Sequence, residues 1–293
     1  MSGAGGTARG RQPMRVAVMG SGTMGSGIAQ ACAASGHDVV LFDVSPEALE
    51  RAQRAMADSL GRLVRKEKIS SEQAEETLSR IEWSQDLSHF ASAQVLIEAV
   101  FEDVEVKRSA WRQASEAVGG ETLLASNTSS LSITEIAGFS GSPERFCGMH
   151  FFNPVALMPL VEVVRAIGTA PETLERARDF VEGIGKIPIV CEDRPGFIVN
   201  RLLIPYVNDA VHALSEGVAS AEDIDRAMKL GANMPIGPLA LADLVGLDVS
   251  LAAADSLHRE FGDPKFRVAP LLRQLVRAGK LGRKSGEGFY RYD

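Results

Sequence analysis

The chain has 293 residues, enough for two domains, and its 45% hydrophobic and 24% charged content is that of an ordinary globular protein. A formal net charge of −7 argues against a nucleic-acid surface and gives no reason to expect attraction to a membrane, and no apolar run reaches transmembrane length. Three scattered cysteines, Cys32, Cys147 and Cys191, form no CxxC pair; they suggest no metal site and no disulfide framework, but small buried apolar residues in a reducing, cytoplasmic setting.

Residues 1–12 are rich in glycine and small residues and lack the apolar core of a signal sequence, so a disordered leader is expected there. Residues 16–30 follow as VAVMGSGTMGSGIAQ. An apolar run ends in a glycine turn and a helical pattern begins, with Gly20, Gly22 and Gly25 in G-x-G-x-x-G spacing. Gly20 permits the turn, Gly22 lets the backbone approach a pyrophosphate, and Gly25 lets helix and strand pack closely. Amides at the start of the helix, around Thr23 and Met24, then face the phosphates. A second strand, residues 38–43, ends in Asp43, at about the distance where an acid accepts hydrogen bonds from the ribose hydroxyls of NAD. A carboxylate there disfavours NADP, although Arg51 and Arg54 lie downstream. The plainer reading is that Asp43 only caps the next helix.

Residues 46–80 carry apolar positions at three- and four-residue spacing. The span predicts two antiparallel helices with a break near residues 68–70 and Ser70 as N-cap. Arg62, Arg65, Lys66 and Lys68 make the tip basic, which reads first as a solvated helix end and second as a surface for an anionic ligand. Residues 81–83, 94–100 and 121–126 are strand candidates, and 104–118 is helical. The continuous apolar run at 94–100 suits a strand buried on both faces of a parallel sheet. Alternating strands and helices predict a doubly wound α/β domain.

Strand-like segments at 146–152, 160–165 and 187–191 and a helix at 172–183 complete this half. From Pro195 onward the pattern is almost entirely helical, at 197–217 (with Pro205 inside), 221–230, 239–244, 250–261 and 269–278. A domain boundary is expected near Arg194, giving an α/β domain over residues 13–193 and a helical domain over 194–293.

Three clusters carry chemistry: Ser126-Asn127-Thr128-Ser129-Ser130, His150-Phe151-Phe152-Asn153-Pro154 with Glu162 downstream, and Pro195-Gly196-Phe197-Ile198-Val199-Asn200-Arg201. A strand out, a Pro-containing turn and a strand back bring His150 and Glu162 side by side. A carboxylate on one imidazole nitrogen fixes the tautomer, and the other nitrogen can take the proton of an alcohol that is losing hydride. The plainer reading is a core histidine bonded to backbone, with Glu162 on a solvent face.

Together with the glycine turn, residues 229–243 and the end of the chain at 286–290, these clusters resemble the L-3-hydroxyacyl-CoA dehydrogenase family, bacterial 3-hydroxybutyryl-CoA dehydrogenases in particular, from about Arg15 to Tyr292. The resemblance implies a Rossmann-type NAD-binding domain, an all-helical C-terminal domain that forms a homodimer, and interconversion of (S)-3-hydroxyacyl-CoA and 3-ketoacyl-CoA. By the same resemblance His150 is the general acid/base and Glu162 its orienting carboxylate. Ser129 and Asn200 hold the reacting oxygen and the thioester. Gly20, Gly22, Thr23, Met24, Gly25 and Asp43 hold the adenosine half of NAD, and Glu102, Lys107, Ser129, Asn153 and Lys284 the nicotinamide half. Ser59 and Lys66 match coenzyme A contacts, which favours the anionic-ligand reading of the basic helix end. From the residues alone, Glu102 and Lys107 read equally as a surface ion pair.

Two departures stand out. After Asn153-Pro154 the chain reads Val155-Ala156-Leu157-Met158-Pro159, without the lysine common in the family. Asn233-Met234-Pro235-Ile236 replaces a frequent His-Pro-Met run, so that Met234 and Ile236 make that wall more apolar. The rival readings are a relative acting on a free hydroxy acid or sugar acid, of the L-gulonate or carnitine type, and a non-catalytic, crystallin-like dinucleotide-binding protein. Keeping Ser129, His150, Glu162 and Asn200 together argues against the second.

Overall fold

Short apolar runs without alternation become the central strands of one sheet, as burial on both faces demands. The computed structural model describes residues 12–292, so the leader expected over residues 1–12 lies, apart from Gln12, outside the described residues. The strands are β1 (Arg15–Met19), β2 (Asp38–Phe42), β3 (Ile81–Ser84), β4 (Val95–Glu98), β5 (Leu123–Ser126), β6 (Phe146–Phe151), β7 (Leu160–Arg165) and β8 (Ile187–Glu192). Their order is β3-β2-β1-β4-β5-β6-β7-β8. All neighbours pair in parallel except β6 and β7, which are antiparallel. The chain runs one way from β1 to β3 and the other way from β4 onward. The crevice for a ligand in such a sheet opens at this reversal, beyond the carboxyl ends of β1 and β4.

Helices α1 (Thr23–Ala34), α2 (Pro46–Arg65), α3 (Ser71–Ser79), α4 (Val104–Ala117), α5 (Ile133–Ser140) and α6 (Pro171–Gly183) belong to the same unit. Ser70 forms a capping box with Gln73 at the start of α3, so the chain breaks where its sequence signals it. Val16, Val18, Ile28, Leu41, Met56 and Ile97 share one buried core between sheet and helices.

This unit ends at Asp193, and a second begins at Arg194. The second holds α7 (Val199–Ser215), α8 (Ala221–Gly231), α9 (Pro238–Val245), α10 (Leu247–Phe261) and α11 (Pro270–Arg277). Helix α7 starts at Val199 rather than at Phe197, because Gly196 and Phe197 both have positive φ, +78° and +47°, which a right-handed helix excludes. Two buried carboxylates organise this unit. Asp225 accepts from the amides of Leu239 and Ala240 at 2.8 Å each and so caps α9. Asp243 accepts from the amides of Phe289 and Tyr290 at 2.9 Å each and ties the chain end to α9.

Candidate active site

The glycine turn is built for close approach. Gly20 has φ +103°, and a Cβ there would lie 2.6 Å from the Ala99 carbonyl oxygen. A Cβ on Gly25 would lie 1.8 Å from the Gly20 oxygen, whereas one on Gly22 would meet nothing within 4 Å. Gly22 is the N-cap of α1 and supplies no side-chain cap, so the first-turn amides of Thr23 and Met24 are left for an anion. The turn forms one wall of a cleft of about 1250 Å³, also lined by Asp43, Ser59, Arg51, Phe101 and Asn153. Its size, its mainly apolar walls and the cradle at Gly22 fit a dinucleotide.

Asp43 is tied back to this turn. Its Oδ2 accepts from the amide and the hydroxyl of Ser21, both at 2.8 Å, and Oδ1 accepts from the Ser45 amide at 3.0 Å. The cap of α2 is Ser45, whose hydroxyl accepts from the Ala48 amide at 3.1 Å. Asp43 is therefore not the helix cap of the plainer reading. Ser21, a buried hydroxyl between two of the glycines, had no role in the sequence pattern; its position beside a β2 acid was the available signal.

Behind the end of β4 lies a charged cluster. Lys107, 1% exposed, donates to Glu98 Oε1 at 2.6 Å and lies 3.2 Å from Glu102 Oε2. Glu98 is wholly buried and also accepts from the Val100 amide at 2.8 Å and the Ser126 hydroxyl at 2.7 Å. Glu102 Oε1 accepts from the Thr128 hydroxyl, the Ser129 amide at 3.0 Å, and the amide and hydroxyl of Ser130. Burial pushes the Glu102 carboxyl up, but Lys107 and these hydrogen bonds outweigh it and hold it below the usual carboxylate range. Lys107 is thus no surface partner: its buried pair is with Glu98, while Glu102, 36% exposed, closes the outer side of the cluster. Removing one partner of the buried Lys107–Glu98 pair costs about 3–5 kcal/mol. Glu98 was missed in the sequence, although an acid inside an otherwise apolar strand is the signal that finds it.

His150 and Glu162 pair directly across β6 and β7. His150 is 6% and Glu162 0% exposed, and His150 Nδ1 lies 2.7 Å from Glu162 Oε2. A carboxylate can only accept, so Nδ1 carries the hydrogen and Nε2 is the nitrogen able to take a proton. The core-histidine reading with an exposed Glu162 is excluded. The Phe152 ring packs 4.4 Å from the imidazole, and Asn127 Oδ1 accepts from the Phe151 amide at 2.9 Å, joining the β5 loop to the end of β6. Beyond the turn, Val155 packs where a Cβ on Gly27 would lie, and Lys186 donates to the carbonyls of Val155 at 2.7 Å and Met158 at 2.9 Å. A cation from the α6–β8 loop therefore reaches the segment that lacks its own lysine.

The structure gathers Gly20, Gly22, Thr23, Met24, Asp43, Ser59 and Asn153 on one cleft and puts Gly25 behind it. Glu102, Lys107 and Ser129 form the cluster described above. Lys66 is the exposed C-cap of α2 and does not line the cleft. In the helical unit, Asn200 lies in the first turn of α7, and Lys284 is paired with Asp248 at 2.6 Å. Among the described residues, no group of three or more His, Cys, Asp or Glu side chains is arranged to hold a metal ion, and no helix is long and apolar enough to cross a membrane.

Comparison with known proteins is consistent with this geometry. The NAD-binding domain of 3-hydroxyacyl-CoA dehydrogenase matches residues 15–194, and the C-terminal domain of the same family matches residues 196–292. The chain belongs to the 3-hydroxyacyl-CoA dehydrogenase family. A 3-hydroxybutyryl-CoA dehydrogenase of Clostridioides difficile is 46% identical over 280 residues, 96% of this chain and all of the relative. The mitochondrial hydroxyacyl-coenzyme A dehydrogenase of Sus scrofa is 44% identical over 284 residues, 94% of this chain and 90% of the relative. The crystal structure of (S)-3-hydroxybutyryl-CoA dehydrogenase from Ralstonia eutropha superposes with a TM-score of 0.92 at 45% identity, covering 96% of this chain and all of that one. The chain is thus a dehydrogenase of this family, with an α/β dinucleotide-binding unit followed by a helical one.

Proposed function

We propose that the chain interconverts (S)-3-hydroxybutyryl-CoA and acetoacetyl-CoA with NAD, in the cytoplasm and as a homodimer. The observation that carries the reading is the buried His150–Glu162 pair at 2.7 Å, at the same carboxyl end of the parallel strands as the glycine-turn cleft. When bound, the dinucleotide supplies the hydride acceptor. Glu162 holds the imidazole so that Nε2 faces the substrate oxygen and takes the hydroxyl proton as C3 is oxidised; in reduction the same nitrogen returns it. Ser129 and Asn200 orient the reacting oxygen and the thioester. Gly20 to Met24 and Asp43 hold the adenosine half of the cofactor, with Gly25 packing the turn from behind, and Glu102, Lys107, Asn153 and Lys284 hold its nicotinamide half. Asp43 favours NAD over NADP because its carboxylate would face the extra phosphate. Ser59 on the cleft wall and the basic end of α2 around Lys66 suit the phosphates of coenzyme A. Exposed apolar residues of the helical unit, among them Leu202, Leu230 and Val249, favour a dimer through that unit.

The test is acetoacetyl-CoA reduction followed at the NADH absorbance, with NADPH and free acetoacetate in parallel. Turnover with the CoA ester and NADH is expected. Turnover with free acetoacetate alone would move the substrate to the free acids, and a dilute monomer in light scattering would remove the dimer.

A further inference from the structure

The cluster behind β4 holds two carboxylates, the buried Glu98 and the 36% exposed Glu102, against one buried ammonium, Lys107. Its formal charge is −1, with two of the three side chains at most 1% exposed. We infer that this uncompensated charge biases the site toward the oxidised cofactor, with Glu98, which stands behind the other two, as its positioning residue. The inference rests on the dinucleotide reading above and deepens it.

The placement follows from the sheet. The phosphate-binding turn follows β1 and His150 lies at the end of β6, and β4 and β5 are the two strands between them. Neighbouring strands are about 4.8 Å apart, so a ring that reaches from the turn to a carbon beside His150 must pass over the ends of β4 and β5. Those ends carry Glu98 and Ser126, joined at 2.7 Å, and the loops that follow carry Glu102 and Ser129, joined at 3.0 Å. The nicotinamide ring is cationic when oxidised and neutral when reduced, so a fixed negative charge below its path discriminates between the two forms. The Glu102 carboxylate accepts four hydrogen bonds on one oxygen, which keeps the charge ionised and in place. Glu98 sets the sign of the whole: without its charge, Lys107 and Glu102 cancel.

Glu98→Gln is the informative substitution, because a glutamine oxygen can still accept from Lys107 and the Val100 amide, and the Ser126 hydroxyl can turn to accept from its amide. Three dissociation constants are read on the full chain: NADH by its fluorescence, and NAD+ and ADP-ribose by competition against NADH. The expected result is a rise in the NAD+ to NADH ratio of dissociation constants on the order of tenfold, with ADP-ribose affinity unchanged. Parallel weakening of all three ligands would mean that Glu98 only supports the fold, and an unmoved ratio would remove the charge bias; either overturns the inference. If Glu98→Gln does not fold, Glu102→Gln removes the same charge and must shift the ratio in the same direction. A wild-type chain that binds neither NADH nor ADP-ribose would overturn the dinucleotide reading itself, and this inference with it.

Discussion

His150 and Glu162 face each other at one register position of the antiparallel β6–β7 pair, with Nδ1 and Oε2 2.7 Å apart. The rest of the sheet is parallel, and the reversal between these two strands is what brings two residues twelve apart into contact. His150→Ala should lower kcat by about 10²- to 10⁴-fold, the usual contribution of a general acid/base, while NADH binding is retained. Glu162→Gln should lower kcat less, since its amide oxygen can still accept from Nδ1. Steady-state kinetics with NADH titrations checks both; near-full turnover in His150→Ala would remove the mechanism.

The two glycines Gly22 and Gly25 should separate binding from folding. A Cβ on Gly25 collides with the Gly20 carbonyl, so Gly25→Ala should cost about 1–3 kcal/mol or more through overpacking. A Cβ on Gly22 meets no protein atom within 4 Å, and Gly22→Ala should cost less than about 1 kcal/mol as a cap change. That methyl group instead points into the space a pyrophosphate would fill, so NADH binding should weaken on the order of tenfold, about 1.4 kcal/mol. Thermal unfolding and fluorescence titration of the two variants should give opposite patterns.

Much of this was legible in the sequence, for physical reasons. The glycine spacing, the acid after β2 and the continuous apolar run of β4 are local signals, and each set its element. The His–Glu contact was legible because one turn joins its two strands. The pairings of Glu98, Ser21 and Lys186 were not, because the partners come from other elements: Glu98 meets Ser126 across neighbouring strands, Ser21 meets Asp43 at the end of the adjacent strand β2, and Lys186 meets Val155 in a loop 31 residues upstream. Spacing along the chain carries no trace of such pairings. The start of α7 was misplaced for a different reason: a positive φ at Phe197 is a rare state for a bulky residue and has no compositional sign.

Asp43 should govern the choice of dinucleotide. Asp43→Asn keeps a group able to accept from Ser21 but removes the charge that a ribose phosphate would face. The ratio of kcat/KM for NADH over NADPH should fall by about one to two orders of magnitude, with most of the change on the NADPH side. Parallel kinetics with both cofactors checks it, and an unchanged ratio would shift the determinant to Arg51 on the same cleft.

Lys66 tests the coenzyme A surface. It is exposed at the C-terminus of α2, where a phosphate contact would be partly screened. Lys66→Glu should raise KM for acetoacetyl-CoA about threefold or more at low salt, less at high salt, and leave KM for NADH alone. A KM that does not move would take the basic helix end out of the substrate site.

His37 should make the α/β unit acid-sensitive. Its Nδ1 accepts from the Met14 amide at 3.1 Å, its ring stacks on Phe180 at 6.0 Å, and Nε2 is buried without a partner among the described residues. Protonating Nδ1 would break the bond to Met14, the residue before β1. Burial, then the nearby Arg80, pull its pKa below the ordinary 6.5, against a smaller opposing pull from Asp38. The unfolded chain therefore binds this proton more readily than the folded one. The stabilisation is complete above about pH 6.5 and is lost as the pH falls from there toward the folded-state pKa, with a slope of at most about 1.4 kcal/mol per pH unit for one proton. His37→Gln, which can keep an acceptor for Met14, should flatten that part of the profile. Denaturant titrations at a series of pH values between 5 and 8 read the slope directly, and identical slopes in the two proteins would assign the acid sensitivity to other groups.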